Sequence, residues 1–183
     1  MLPTLLARPS MARSQCGSRR HSLMGEYPRV NIVTATGLNG AMIERLGSPF
    51  DLVIAMHPSG TGRGHFLRRE QAVWAAAIND LDLSDQLQLA LYPPECLLRE
   101  WAIEALDKIG PGWRLAFVSH STAAVEAVAA EGLAVTVMKA GTFPRSLRHV
   151  PESVLPPLPS ADICLHTTRS LARAKHLLVL SMR

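Results

Sequence analysis

Apolar and polar positions follow one another in blocks that predict a β-α-β order from residue 30 onward. Residues 30–36 and 50–56 are largely apolar runs, and the segment 38–48 between them places its apolar residues on one side of a helix. Nearly continuous apolar runs are typical of strands that a parallel sheet buries on both faces. We therefore expect a β-α-β unit here, followed by a Gly- and Ser-rich loop over 57–64 and an extended strand over 65–77.

The second half of the chain repeats this order after a polar crossover over residues 78–86. Signals at the helix ends support this order. Gly110 followed by Pro111 suits the end of the first helix, Ser121 or Thr122 suits the N-cap of the second helix, and Gly132 suits its end. The predicted strands of this half are 87–93, 113–120 and 133–139, and they alternate with predicted helices over 95–110 and 121–132. A last strand over 162–168 and an amphipathic helix over 170–182 complete the chain.

Two such α/β halves predict two Rossmann-like lobes with mostly parallel sheets and a cleft between them. In open parallel sheets ligands bind beyond the carboxyl ends of the strands, so the cleft is where we expect a site. The predicted division places lobe I at residues 25–78 plus 160–183 and lobe II at 79–159. Residues 1–24 are interpreted as an atypical, partly disordered segment.

Polar turns follow three of the predicted strands. Ser119 to Thr122 lie where a hydrophobic strand meets a helix start, and unpaired amides together with the helix dipole favour an anionic group such as a carboxylate there. The stretches "YPPECLL" and "TATGLN" occupy the equivalent positions one strand earlier and in the first lobe. The candidate ligand-binding residues of these turns are Thr36, Gly37, Pro94, Glu95, Cys96, Ser119, His120, Ser121 and Thr122.

Composition narrows the function classes. The net charge of +4 arises in the first 24 residues, because the remaining 15 Lys and Arg balance 15 Asp and Glu. A phosphate-neutralising surface needs a clustered basic excess, so we expect no direct nucleic-acid contact by this chain. No apolar run approaches the roughly 20 residues that span a bilayer, so no membrane contact is expected. Cys16, Cys96 and Cys164 show no metal or disulfide spacing, which favours a reducing, cytoplasmic location.

The chain resembles the effector-binding domain of LysR-type transcriptional regulators, which has the type 2 periplasmic-binding-protein fold. The resemblance rests on several separated segments, among them "FDLVIA", "LRREQAVWAAA" and the long stretch from "LYPPECLL" to "GLAVTV". It implies that Ser119 to Thr122 bind the polar end of an effector, with Thr36 from the facing lobe and Glu95 or Cys96 at the neighbouring turn. It further implies a small-molecule effector, no catalysis, and pairing as a homodimer or as a mixed dimer with a full-length regulator.

The sequence also departs from the family pattern at its amino end. Family members begin with a winged helix-turn-helix of about 60 residues, and the residues before Val30 leave no room for it. The family's first ligand-domain strand would precede residue 1, and "PSMARSQCGSRRHSLM" interrupts the expected run into "GEYPRV". We therefore expect an N-terminally truncated domain without its own DNA reader.

Other interpretations stay open from the sequence. Ser121 and Thr122 could serve only as helix caps, His120 could titrate with effector charge or be simply solvated, and Cys96 could be a redox-sensitive thiol or a buried inert one. An enzyme would need a nucleophile, a base and an orienting group, for which Cys96 with His120 or His57 with Ser59 are incomplete candidates. We expect no metal ion or other cofactor. A partner-binding fragment and a stand-alone small-molecule-binding protein are the alternative functions.

Overall fold

A computed structural model describes residues 39–77, 86–110 and 112–168, together with residues 33, 35 and 37. These residues fold into two compact α/β units. Unit 1 takes in the described residues up to Arg68 and those from Asp162 onward, and unit 2 is Arg69–Ala161. The predicted helix over 170–182, all but residue 86 of the crossover over 78–86 and all but residues 33 and 35 of the predicted strand over 30–36 lie outside the described residues.

Unit 1 contains the predicted helix and strands of the first half. Its elements are α1 (Asn39–Glu44), β1 (Leu52–Pro58), the first residues of β2 (His65–Ala77) and most of β7 (Ser160–Thr167), and β7 lies between β1 and β2 in the sheet. Helix α1 packs on β1 through Met42, Phe50, Val53 and Ala55. The prediction of a fully buried strand is confirmed, because residues 52–56 of β1 are all buried.

Unit 2 is built around a parallel pair of strands. Strand β3 pairs with β4 from Leu87↔Trp113 to Leu91↔Val118, and a parallel bridge joins Leu89 to Val135 on its other side. The chain alternates strand and helix as predicted, because apolar strands are followed by helices with one buried face. The elements of unit 2 are the rest of β2, β3 (Leu87–Leu91), α2 (Leu97–Asp107), β4 (Trp113–Val118), α3 (Thr122–Ala130), β5 (Thr136–Lys139), a 3-10 turn (Ala140–Thr142) and β6 (Leu147–His149).

The predicted boundary residues of α3 are confirmed, whereas α2 ends at Asp107, three residues before the predicted end at Gly110. Ser121 is the N-cap of α3 and accepts a hydrogen bond from the amide of Ala124 at 3.4 Å. Helix α3 is followed at once by a turn through Gly132, whose φ of 75° is a left-handed conformation that glycine adopts without a Cβ penalty. Local turn chemistry therefore determines where this helix begins and ends.

Strand β2 departs from the predicted mostly parallel arrangement. It runs antiparallel to β5 over Ala72–Ala75 and antiparallel to β6 over Ala75–Ala77, on opposite edges. These pairings also explain why the structural division between the units falls inside β2, after Arg68, whereas the predicted division followed the end of the strand at residue 78. The second division falls after Ala161, two residues later than the predicted one. Hydrophobic periodicity reports which residues are buried, and it does not report strand direction.

None of the helices in the described part of the chain is long and apolar enough to cross a bilayer.

Truncating Leu89 tests the packing of the parallel pair. Its side chain is 0% exposed at the centre of unit 2, so Leu89→Ala should lower the free energy of unfolding by about 2–5 kcal/mol through lost burial and a residual cavity. Urea unfolding measures this change. The matched control is Leu133→Ala, because Leu133 is 64% exposed and should change stability by no more than about 0.5 kcal/mol. Equal effects of the two truncations would contradict the described core.

Candidate functional site

Two of the predicted polar turns lie side by side in unit 2. They follow the carboxyl ends of the parallel neighbours β3 and β4, and each leads into a helix. The amide of Ser119 donates to the carbonyl oxygen of Leu91 at 3.2 Å, so the second turn is tied directly to the end of the strand that precedes the first. The grouping of the predicted site residues of unit 2 into one site stays a prediction.

The first turn runs from Tyr92 to Cys96 and opens α2. Pro94 and Glu95 are exposed, whereas Cys96 is the buried N-cap residue, and its side chain makes no capping hydrogen bond. Glu95 has a φ of 68°, a left-handed conformation that is uncommon for a residue other than glycine. The first amides of α2 therefore keep the anion-favouring character of an uncapped helix start.

Arg99 supports this turn and was missed by the sequence-based prediction. Its guanidinium donates from Nη1 to the carbonyl oxygen of Tyr92 at 3.0 Å, which places a positive charge beside the start of α2. A signal was available in the sequence, because Arg99 lies in the first turn of the predicted helix, three residues after Cys96.

The second turn is held by its own hydroxyl groups. Ser119 Oγ accepts from the amide of Ser121 at 3.0 Å, and Ser121 Oγ accepts from the amide of Ala124. His120 and Ser121 are exposed, and Ser119 and Thr122 are half-buried. Of the two cap candidates, Ser121 is the N-cap and Thr122 is the first residue of α3. In these two bonds the serine oxygens accept, so each hydroxyl proton remains available to donate to another group.

The predicted site residues of unit 1 are only partly described. Gly37 is exposed and lies against the side chain of Met42, and Thr36 lies outside the described residues. The assignment of Thr36 and Gly37 to the same site as the turns of unit 2 stays a prediction.

The incomplete catalytic candidates gain no support from the geometry. Cys96 is a buried free cysteine, whereas a reactive thiol needs access to solvent or substrate. Ser59 Oγ lies 3.5 Å from Asp162 Oδ1, and His57 Nε2 lies 2.9 Å from His166 Nε2, so both members of that pair contact other residues. Within the described ranges no cluster of three or more His, Cys, Asp or Glu side chains is arranged to hold a metal ion.

Two compact α/β units, with polar turns at the ends of parallel strands in unit 2, agree with the expected fold of the periplasmic-binding-protein type. The model of the LysR substrate binding domain matches residues 4–179, so the chain belongs to this family, which serves transcriptional regulation. The predicted fold class and family are confirmed.

Known proteins support the same assignment. The chain is 31% identical over 156 residues to the HTH-type transcriptional regulator DgdR of Burkholderia cepacia. The matched region covers 83% of this chain and 52% of that regulator. It therefore spans about half the length of this curated relative.

Solved regulatory domains share the fold. The reduced OxyR regulatory domain of Pseudomonas aeruginosa has a TM-score of 0.71 at 15% identity and covers 98% of this chain and 93% of its own. The CcmR regulatory domain of Synechocystis PCC6803, solved in complex with 2-PG, has a TM-score of 0.71 at 12% identity, with coverage of 99% and 97%.

The capping role of Ser121 can be separated from any role in binding. Ser121→Ala should lower the free energy of unfolding by about 0.5–1 kcal/mol, because the amide of Ala124 loses its acceptor and the existing bond is long. Chemical denaturation measures this loss. Ser121→Asp is the matched control, because aspartate also caps helices and should retain most of the stability. Stability unchanged in Ser121→Ala would show that the cap contributes nothing.

Proposed function

We propose that this chain is the ligand-sensing domain of a LysR-type regulator and binds a small anionic metabolite at the paired turns of unit 2. The observation that supports the proposal is the hydrogen bond from the Ser119 amide to the Leu91 carbonyl oxygen, which joins the second turn to the strand end that precedes the first turn. Helix N-termini offer unpaired amides and the positive end of the dipole, and two of them together strengthen the preference for an anion.

The individual side chains divide the proposed site into two parts. At the second turn, the hydroxyls of Ser119, Ser121 and Thr122 would donate to a carboxylate or a similar anion. At the first turn, the carboxylate of Glu95 is exposed and would repel an anion but accept from a hydroxyl or amine of the same ligand. The site therefore favours a small molecule with an acidic end and a hydrogen-bond donor on the other side. Thr36 and Gly37 belong to this proposal through the family resemblance.

The proposed action is sensing without catalysis. A ligand shifts a conformational equilibrium only by its difference in affinity for the two states, so binding at the turns must favour one arrangement of the regulator. The 2-PG complex of the CcmR regulatory domain supports the general idea that a domain with this fold holds a ligand.

A screen of small carboxylic acids against their neutral amides tests the ligand class. At least one acid should raise the melting temperature of the chain, whereas its amide should not. The double variant Ser119→Ala with Thr122→Ala should weaken the binding of that acid by about tenfold or more in calorimetry, since a hydrogen bond to a charged group contributes about 1.5–3 kcal/mol.

The matched control for this screen is Ser153→Ala, because Ser153 is an exposed serine of unit 2 away from both turns. It should bind the acid as the native chain does. Amides that stabilise the chain as well as acids do, or a double variant with native affinity, would refute the anion proposal.

We also propose that the domain pairs, as a homodimer or as a mixed dimer with a full-length regulator. Size-exclusion chromatography with light scattering should give twice the chain mass of 19.9 kDa at high concentration. A full-length regulator of the family should be retained by the immobilised chain and should not be retained by an unrelated protein. A monomer throughout, together with no retention, would contradict pairing.

A further inference from the structure

Two histidines that are far apart in the sequence meet in unit 1. His57 is on β1 and His166 is on β7, and their Nε2 atoms lie 2.9 Å apart. The ring centroids are 5.1 Å apart and the ring planes are tilted by 50°. The distance between the ring centroids exceeds the distance between the Nε2 atoms by about the sum of the two ring radii. The two imidazoles therefore point at each other nearly end to end, with the Nε2 atoms between the ring centres.

At this distance only one hydrogen atom can lie between the two Nε2 atoms. One Nε2 must carry the hydrogen and donate it, and the other Nε2 must accept through its lone pair. If both rings are protonated, two N–H groups and two positive charges face each other at hydrogen-bond distance. The contact therefore exists only while at least one of the two rings is neutral.

The surroundings keep the rings neutral. Burial lowers the pKa of His57, and Asp162 partly opposes this by favouring the charged form. Burial also lowers the pKa of His166, and the neighbouring His57 lowers it further. The other titratable groups around the pair are Cys164, whose pKa is raised by burial and then by Asp162, and His65, which shares a cavity with His166. Asp162 is thus the acidic group in this described set, and it favours protonation of His57.

The same side chains hold the loop between β1 and β2. The amide of Gly60 donates to Asp162 Oδ2 at 2.8 Å, and Ser59 Oγ also lies within reach of this carboxylate. Gly62 packs where an added Cβ would stand 2.7 Å from Cys164 Sγ and 3.3 Å from His57 Cδ2. The histidine contact and the loop are therefore one packed cluster.

His166 has space to move. It lines an open cavity of about 340 Å³ together with Leu46, Gly64, His65, Leu165 and Thr167. A charged imidazole that leaves His57 can enter this space and be hydrated there.

We propose that the His57–His166 contact is a pH-sensitive latch within unit 1, which is closed while at least one of the two rings is neutral and opens when both rings are protonated. Opening separates the rings and loosens the loop from Ser59 to Gly64. This device does not depend on the effector proposed above, because all of its residues belong to unit 1.

The direction of the pH effect follows from the lowered pKa of both rings. Above the ordinary histidine value of about 6.5 both the folded and the unfolded chain hold these rings neutral, and the latch contributes its full stability. As the pH falls below that value, the unfolded chain takes up protons that the folded chain resists. Stability from this cluster is therefore lost on acidification.

Thermal unfolding of the full chain at pH 8.0 and pH 5.5 tests the latch. Acidification should lower the melting temperature of the native chain by at least about 3 °C more than that of His166→Gln, in which one titrating ring is gone. His149→Gln is the matched control, because His149 is an exposed histidine of unit 2 that belongs to no predicted site, and it should show the native pH dependence. Equal pH dependence in the native chain and in His166→Gln would overturn the latch.

A second measurement on the native chain decides the matter if the variant does not fold. Nitrogen-15 NMR of the imidazoles at pH 7.5 should show one protonated and one unprotonated Nε2 in the pair. On acidification the shifts of the two rings should change together with the amides of residues 59–64. Two rings that titrate independently with ordinary histidine profiles, and without any change in the loop, would refute the proposal.

Discussion

The parallel pairing of β3 with β4 is the constraint on which the proposed site depends. Parallel strands end at the same edge of a sheet, so the turns that follow them meet, and the helices that follow the turns begin next to each other. The register that joins Leu91 to Val118 sets the distance between the turns, and the Ser119 amide completes the connection. The anion preference that we propose would therefore result from backbone geometry, and the side chains of the turns would refine it.

Much of this arrangement could be predicted from the sequence, because its causes are local. Buried apolar runs determine the strands, and the cap residue Ser121 and the turn glycine Gly132 determine the ends of α3. The position of the two turns next to each other was predicted from the order of strands and helices alone. The resemblance to LysR-type regulators added the prediction that Thr36 and Gly37 belong to the same site, which no local pattern within unit 2 indicates.

What could not be predicted depends on residues that are distant in the chain. The antiparallel pairing of β2 with β5 and β6 follows from how the chain returns, and periodicity carries no information on that return. His57 and His166 are 109 positions apart, and each alone resembles an ordinary strand histidine. Arg99 was missed for a different reason. Its guanidinium binds a backbone carbonyl oxygen, and because every residue has one, the sequence does not indicate which carbonyl it binds.

The loop cluster of unit 1 also restricts how the sequence can change. Gly62 leaves no space for a side chain, since Cys164 Sγ already occupies the position where one would extend. A larger residue at position 62 requires the side chain of residue 164 to move or to become smaller. Among relatives that keep this loop, the two positions should thus covary, although they are on separate segments of the chain.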